Sequence, residues 1–174
     1  MIDRRAFAAT AMLAGVGLSS SVSAQTLEIS NSSAEIHQDV VLAASPARIY
    51  AALTDAALFD KIVRGSEAMN SAMKSQLGTA PTAIDARPGG AFALFGGYVT
   101  GFNLEMLSGK RLVQAWRAGS WDPGLFSIAD FALSPHGSGT RIVFDHRGFP
   151  DNAAAHLAKG WHANYWEPMA RIIV

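Results

Sequence analysis

From Ile84 onward the chain is punctuated by turn signals: Gly89-Gly90, Gly96-Gly97, Ser108-Gly109, Asp122-Pro123-Gly124 and His136-Gly137-Ser138-Gly139. Between them lie short runs rich in β-branched and aromatic residues, of strand length and composition. Glycine enters the positive-φ conformations of tight hairpin turns without steric cost. The intervals are too short for the crossover helices that parallel strands require. This half of the chain can therefore fold only as an antiparallel meander of hairpins.

Successive strand side chains point to opposite faces, so parity assigns an inner and an outer side. In Tyr98–Met106 the even positions, Tyr98, Thr100, Phe102, Leu104 and Met106, form the more apolar set. In Leu125–Leu133 the odd positions carry Leu125, Phe131 and Leu133, which leaves Asp130 on the solvent side. In Thr140–His146 the even set is Thr140, Ile142, Phe144 and His146, while Arg141, Asp145 and Arg147 face water.

Ahead of the meander, Glu35 to Leu42 is a strand candidate. Ser45-Pro46 follows as a helix start, serine capping and proline taking the first turn. Ile49, Leu53, Leu58, Phe59 and Ile62 recur at helical spacing, and Thr54-Asp55 between them supplies a second cap, which predicts two short helices. Gly65 to Pro81 has little pattern and is expected to be a mobile loop. At the other end, Asn152 to Val174 places Leu157, Trp161, Tyr165 and Ile172 on one helical stripe. Gly160 weakens that helix, and Pro168 is expected to kink or end it. The economical arrangement is an α+β one, a curved antiparallel sheet wrapped against a long C-terminal helix.

The head of the chain has a different character. Arg4-Arg5 precede an uncharged stretch, Ala6 to Leu18, and a run of small residues ending at Ala24. This is the layout of a cleaved export signal over residues 1–24, with the cut before Gln25, and the apolar run is too short to span a bilayer. Arg4-Arg5-x-Phe7 resembles a twin-arginine signal; an ordinary secretory signal is the alternative. The expected organisation is a signal at 1–24, a flexible leader at 25–34 and one domain at 35–174, placed in the periplasm or otherwise exported by its export machinery. The mature chain is not expected to insert in a membrane. Fourteen Lys and Arg balance fourteen Asp and Glu, so no whole-chain field favours nucleic acid. The absence of cysteine removes disulfides, thiolate nucleophiles and Cys-based metal sites.

Read in order, Gly89-Gly90-Ala91-Phe92, Gly97-Tyr98-Val99-Thr100-Gly101 and Arg111-Leu112-Val113-Gln114-Ala115-Trp116-Arg117 form a recognisable series. Ser120-Trp121-Asp122-Pro123-Gly124, Arg147-Gly148-Phe149-Pro150 and Gly160-Trp161 complete it. The series resembles the C-terminal domain of the activators of the 90-kDa heat-shock protein ATPase, within the START-like (SRPBCC, birch-pollen-allergen-like) superfamily. That resemblance covers residues 35–174. It implies the helix-grip fold: a seven-stranded antiparallel sheet around a long C-terminal helix, with two short helices after the first strand. It also implies a cavity between sheet and helix of the kind that holds an apolar small molecule.

The inward candidates to line such a cavity are Phe92, Leu94, Tyr98, Phe102, Leu104, Trp116, Phe131, Phe144, Trp161 and Tyr165; the bland alternative is that these rings simply fill the core. His146 ends a strand on the inward parity. It is read either as a base or ligand-orienting group at a pocket mouth, with Gln114 or Tyr98 as partners in a polyketide-cyclase-like enzyme, or as a histidine satisfied within the fold. Gln114 and Thr100 share its inward parity. His156 and His162 lie six residues apart, off the helical spacing of a ligand pair, so neither a metal nor another cofactor is expected. Trp121 sits on a hairpin loop, where it marks a protein-partner edge or folds back over the cavity mouth. The reading these residues favour is a binding module for a small hydrophobic or aromatic molecule, with the enzyme and a co-chaperone-like protein-binding module as alternatives.

Overall fold

The computed structural model describes residues 28–29 and 34–173; the expected signal at 1–24 and most of the leader lie outside the described residues. Strand β1 (Glu28–Ile29) makes a short parallel pairing with Leu125 and Phe126. The remaining strands are β2 (Glu35–Leu42), β3 (Ala83–Ile84), β4 (Ala91–Leu94), β5 (Val99–Leu107), β6 (Arg111–Ala118), β7 (Leu125–His136) and β8 (Gly139–Arg147). They form an antiparallel sheet in the order β2-β8-β7-β6-β5-β4-β3. The meander is therefore contiguous from β3 to β8, and the chain's first long strand closes the far edge against β8.

Two helices, α1 (Pro46–Thr54) and α2 (Ala56–Arg64), follow β2, each started by the cap read from the sequence. The Ser45 hydroxyl accepts from the Arg48 N–H, and Asp55 Oδ1 accepts from the Leu58 N–H at 2.7 Å, satisfying donors that a helix start leaves free. The segment after Gly65 is more ordered than its composition suggests. A short helix α3 (Glu67–Asn70) and a 3-10 turn (Ala72–Gln76) are set by the caps Ser66 and Ser71. These are local side-chain-to-backbone bonds that leave no periodic apolar trace in the sequence.

The C-terminal helix runs as α4 (Ala154–Trp161), a π turn (His162–Trp166) and α5 (Glu167–Ile172). Pro168 neither ends nor sharply breaks it. Lacking an N–H, proline cannot bond the carbonyl four residues back, and the helix absorbs the fault one turn earlier as a π turn, with the Glu167 N–H reaching His162 O. Gln38 anchors this helix to the sheet: its Nε2 donates to Ala158 O at 2.9 Å, and its Oε1 accepts from Trp166 Nε1 at 2.6 Å.

The core lies between helix and sheet and is led by Phe59, Phe131, Phe144, Phe149, Ile49, Ile62 and Met169, all fully buried. Each such side chain contributes about 1.5–3 kcal/mol on removal from water. On β7 and β8 the observed inner faces match the parity reading. On β5 they do not: Val99, Gly101 and Asn103 face inward, whereas Phe102 is half-buried on the outer face beside Phe126 and Leu104 is 49% exposed. Thr100 likewise turns outward, paired across from Arg117. A register irregularity between Asn103 and Glu105 then returns Met106 to the core side. Apolarity alone selects the wrong face because Gly101 contributes nothing to the inner set; its missing side chain is supplied by the Phe92 ring, which lies where a Cβ at 101 would meet it at 2.4 Å.

Candidate functional site

A cavity of about 460 Å³ lies between the C-terminal helix and the sheet, within the range of sites that take drug-sized molecules. The sheet supplies Val99, Trp116 and Ala118, and the helix supplies Leu157, Gly160, Trp161 and Tyr165. Phe95, Met73, Leu77, Trp121, Leu125 and Pro150 also line it.

Local structure explains why these side chains meet. Phe95 and Gly96 adopt positive φ (52° and 71°) in the turn Phe95–Gly97, which swings the Phe95 ring inward against Phe59 (5.8 Å between centroids) and Tyr165 (5.6 Å). A non-glycine residue held at positive φ costs on the order of 1 kcal/mol and persists where the surroundings enforce it. Here the enforcement is close approach: a Cβ on Gly96 would lie 1.9 Å from Gly78 O, so the 71–82 segment rests directly on this turn. Helix α3, which leads into this segment, is held from the C-terminal helix by Asn164, whose Oδ1 accepts from the Ala68 N–H at 2.8 Å. Gly160 leaves the helix wall open, since a Cβ there would meet nothing closer than Asn164 Nδ2 at 3.8 Å.

Of the candidates read from the sequence, Tyr98, Trp116, Trp161 and Tyr165 border the cavity. Phe92, Phe131, Phe144 and His146 do not. Phe131, Phe144 and His146 pack behind Trp161, with ring centroids 5.7, 4.4 and 5.4 Å away, so the indole stands between them and the cavity. Phe92 is spent covering Gly101, and Phe102 is on the opposite face of the sheet. Leu94 is buried in the core. Trp121 is half-buried, folded onto Trp116 at 5.4 Å, and the Arg117 guanidinium bonds its carbonyl and that of Asp122. The hairpin tip is thus drawn over the cavity rim.

His146 is fully buried, and both ring nitrogens are engaged. Trp161 Nε1–H donates to Nδ1 at 2.9 Å, which makes Nδ1 the acceptor and places the proton on Nε2. Nε2–H then donates to Ser127 Oγ at 2.6 Å, and the Ser127 hydroxyl donates onward to Trp116 O at 2.9 Å. Burial pushes the His146 pKa down to about 3, so the ring is neutral. A base needs a free nitrogen within reach of substrate, and His146 has neither the nitrogen nor the access. Gln114 is equally committed: its Nε2 donates to Asn103 Oδ1 at 3.0 Å, and Asn103 in turn donates to Asp85 O. Tyr98 does reach the cavity, its hydroxyl donating to Ser120 Oγ at 3.2 Å.

Two buried polar atoms on cavity-lining residues stand apart from these networks. The indole Nε1 of Trp116 and the hydroxyl of Tyr165, on residues each 5% exposed, are closed off from solvent and join none of them, the indole N–H lying beside the hydroxyl oxygen. Burial raises the Tyr165 pKa above the ordinary phenol range, opposed in part by the nearby Trp116 N–H. The sequence reading missed Phe95, Asn164, Ser127 and the 71–82 wall. Only the Gly96-Gly97 pair beside Phe95 offered a signal.

A sheet gripping a C-terminal helix, with a half-open cavity between them, defines a START-like (SRPBCC) domain. The chain belongs to the family of activator of Hsp90 ATPase homolog 1-like proteins, whose family model matches residues 43–173. It is 30% identical over 88 residues to the mouse activator of 90 kDa heat shock protein ATPase homolog 1, covering 51% of this chain and 26% of that protein. To the Dictyostelium discoideum homologue it is 31% identical over 77 residues, covering 44% and 20%. The matched stretches thus span about a quarter of the length of these relatives or less. An Hsp90 activator from Plasmodium falciparum has the same fold, with a TM-score of 0.66 at 20% identity over 79% of this chain and 94% of that one.

Proposed function

We propose that this domain binds a small, largely apolar molecule in its sheet–helix cavity, and that residues 1–24 direct its export. The observation that supports the binding reading is the cavity itself: about 460 Å³ walled by aromatic and aliphatic side chains, with its rim formed by a tryptophan-bearing hairpin. Apolar walls bind by removing ligand surface from water, and a few polar groups then orient what enters. Titration with 6-propionyl-2-(dimethylamino)naphthalene, a probe that brightens and shifts blue in apolar surroundings, tests the reading. Saturable, blue-shifted binding that is lost in Gly160→Leu is expected; no binding to the folded chain overturns it. The export reading is tested by fusing residues 1–24 to a reporter that acts only outside the cytoplasm; a silent reporter overturns it.

Kinship favours a second reading. The curated relatives are named as activators of an Hsp90-type ATPase, and this chain corresponds to a part of them. Protein binding of that kind predicts that the chain accelerates ATP turnover by such a chaperone. Unchanged turnover at saturating chain concentration excludes it.

A further inference from the structure

Asn164 lines the cavity from the π turn of the C-terminal helix, and the two polar atoms of its amide are placed differently. Oδ1 is spent, since it accepts the Ala68 N–H at 2.8 Å. A backbone N–H can bond only the oxygen of a side-chain amide, so this contact fixes which way the group points. Nδ2, the other branch, has no hydrogen-bond partner among the described residues. It is not sealed in either. The side-chain atoms that are both buried and outside any network are Trp116 Nε1 and Tyr165 Oη, which lie beside each other. Gly160, also in the cavity wall and four residues earlier, leaves the amide uncovered: Nδ2 is the atom that a Cβ at 160 would approach, at 3.8 Å. Asn164 thus holds helix α3 with one atom and keeps a free donor on the other. Single π turns within α-helices recur at functional sites, and Asn164 stands inside one.

The chemistry that suits this donor follows from the other lining groups. Ser120, Asp122, Asn152 and His156 are on exposed residues, and the Tyr98 hydroxyl is bonded to Ser120. An amide N–H donates and does not accept, so whatever meets Nδ2 must bring an acceptor. Among the described residues no Lys or Arg lines the cavity. An anionic acceptor would be desolvated with no cation beside it, and it would face the Asp122 charge on entry. A neutral oxygen meets the amide without that cost. We propose that Asn164 Nδ2 is the donor that orients the ligand of this cavity, and that this ligand is an apolar molecule carrying a neutral acceptor oxygen such as a carbonyl. This inference rests on the cavity-binding reading above and adds the orienting residue and the chemical class of the ligand.

Asn164→Asp separates the two halves of the side chain. It keeps an oxygen to hold the Ala68 N–H and replaces Nδ2 with a second oxygen, turning donor into acceptor with almost no change of shape. Two probes are titrated into the full chain and into the variant at about pH 8, where the carboxyl is ionised. One is 6-propionyl-2-(dimethylamino)naphthalene, which carries a ketone; the other is 6-propyl-2-(dimethylamino)naphthalene, in which a methylene replaces the carbonyl. Loss of one hydrogen bond predicts that the ketone binds the variant at least about fivefold more weakly, while the propyl probe stays within about twofold. Equal changes for the two probes, or binding of the propyl probe alone, overturn the role of Asn164 while leaving cavity binding intact. Binding of neither probe to the unaltered chain overturns both. Should the variant fail to fold, nuclear magnetic resonance on the unaltered chain decides. The side-chain amide protons of Asn164 are expected to move downfield with the ketone bound and not with the propyl probe, and matching shifts overturn the proposal.

Discussion

The indole of Trp161 donates its Nε1–H to Nδ1 of His146 at 2.9 Å, across the interface between the C-terminal helix and the last strand. That bond fixes the tautomer of a fully buried imidazole and orients Nε2–H toward Ser127. It also sets the indole plane as a partition, with the cavity bordering it and the phenylalanine core of Phe131 and Phe144 packed against it. A histidine that resembles a catalytic base is thereby a structural joint.

The joint carries a pH dependence. His146 is neutral in the fold, with its pKa lowered from 6.5 to about 3, so the unfolded chain binds the extra proton first. The stabilisation is fully present above about pH 6.5 and is lost progressively as pH falls toward the folded value, by roughly 1.4 kcal/mol per pH unit. Denaturant unfolding between about pH 4 and 7 should show this slope, and His146→Gln should flatten it. An unchanged slope in the variant rejects the assignment.

Ser127→Ala removes the acceptor of His146 Nε2–H and the donor to the Trp116 carbonyl together. Stranding two buried groups predicts a loss of about 2–4 kcal/mol in unfolding free energy. Combined with His146→Phe the cost should be well below the sum of the single variants, because both remove the same network. Additive losses in chemical denaturation argue against the network.

At Gly160 an added methyl group meets nothing closer than 3.8 Å, and the position is helical. Gly160→Ala should therefore raise stability by up to about 1 kcal/mol through helix propensity, seen as a higher melting temperature. A lower melting temperature contradicts the open space assigned to this wall.

At Gly96 the opposite holds. A Cβ would sit 1.9 Å from Gly78 O on a backbone at φ 71°, so Gly96→Ala must displace the 71–82 segment or the turn beneath it. A destabilisation of at least about 1 kcal/mol is expected, with faster amide exchange confined to residues 72–82 and the turn. Uniformly unchanged exchange counts against the contact.

Much of the fold was legible because its signals are local. Turn glycines, the Ser45-Pro46 and Asp55 caps and the alternation of β7 and β8 each act within a few residues, and each reappears in the structure. The site was less legible. Tyr98, Trp116, Trp161 and Tyr165 were named from apolar pattern and do border the cavity, yet the same pattern nominated Phe92, Phe102, Phe131 and Phe144, which do not.

Sequence alone determined the antiparallel meander, the two capped helices and the closing helical stripe, since backbone conformation answers to neighbouring residues. Tertiary structure decided which rings meet empty space. Gly101 left a gap that Phe92 filled, and Trp161 stepped between His146 and the cavity. Pro168 shifted the helix into a π turn that carries Tyr165. Whether a buried side chain lines a cavity or closes one depends on what arrives from distant parts of the chain, and no residue's own identity encodes that.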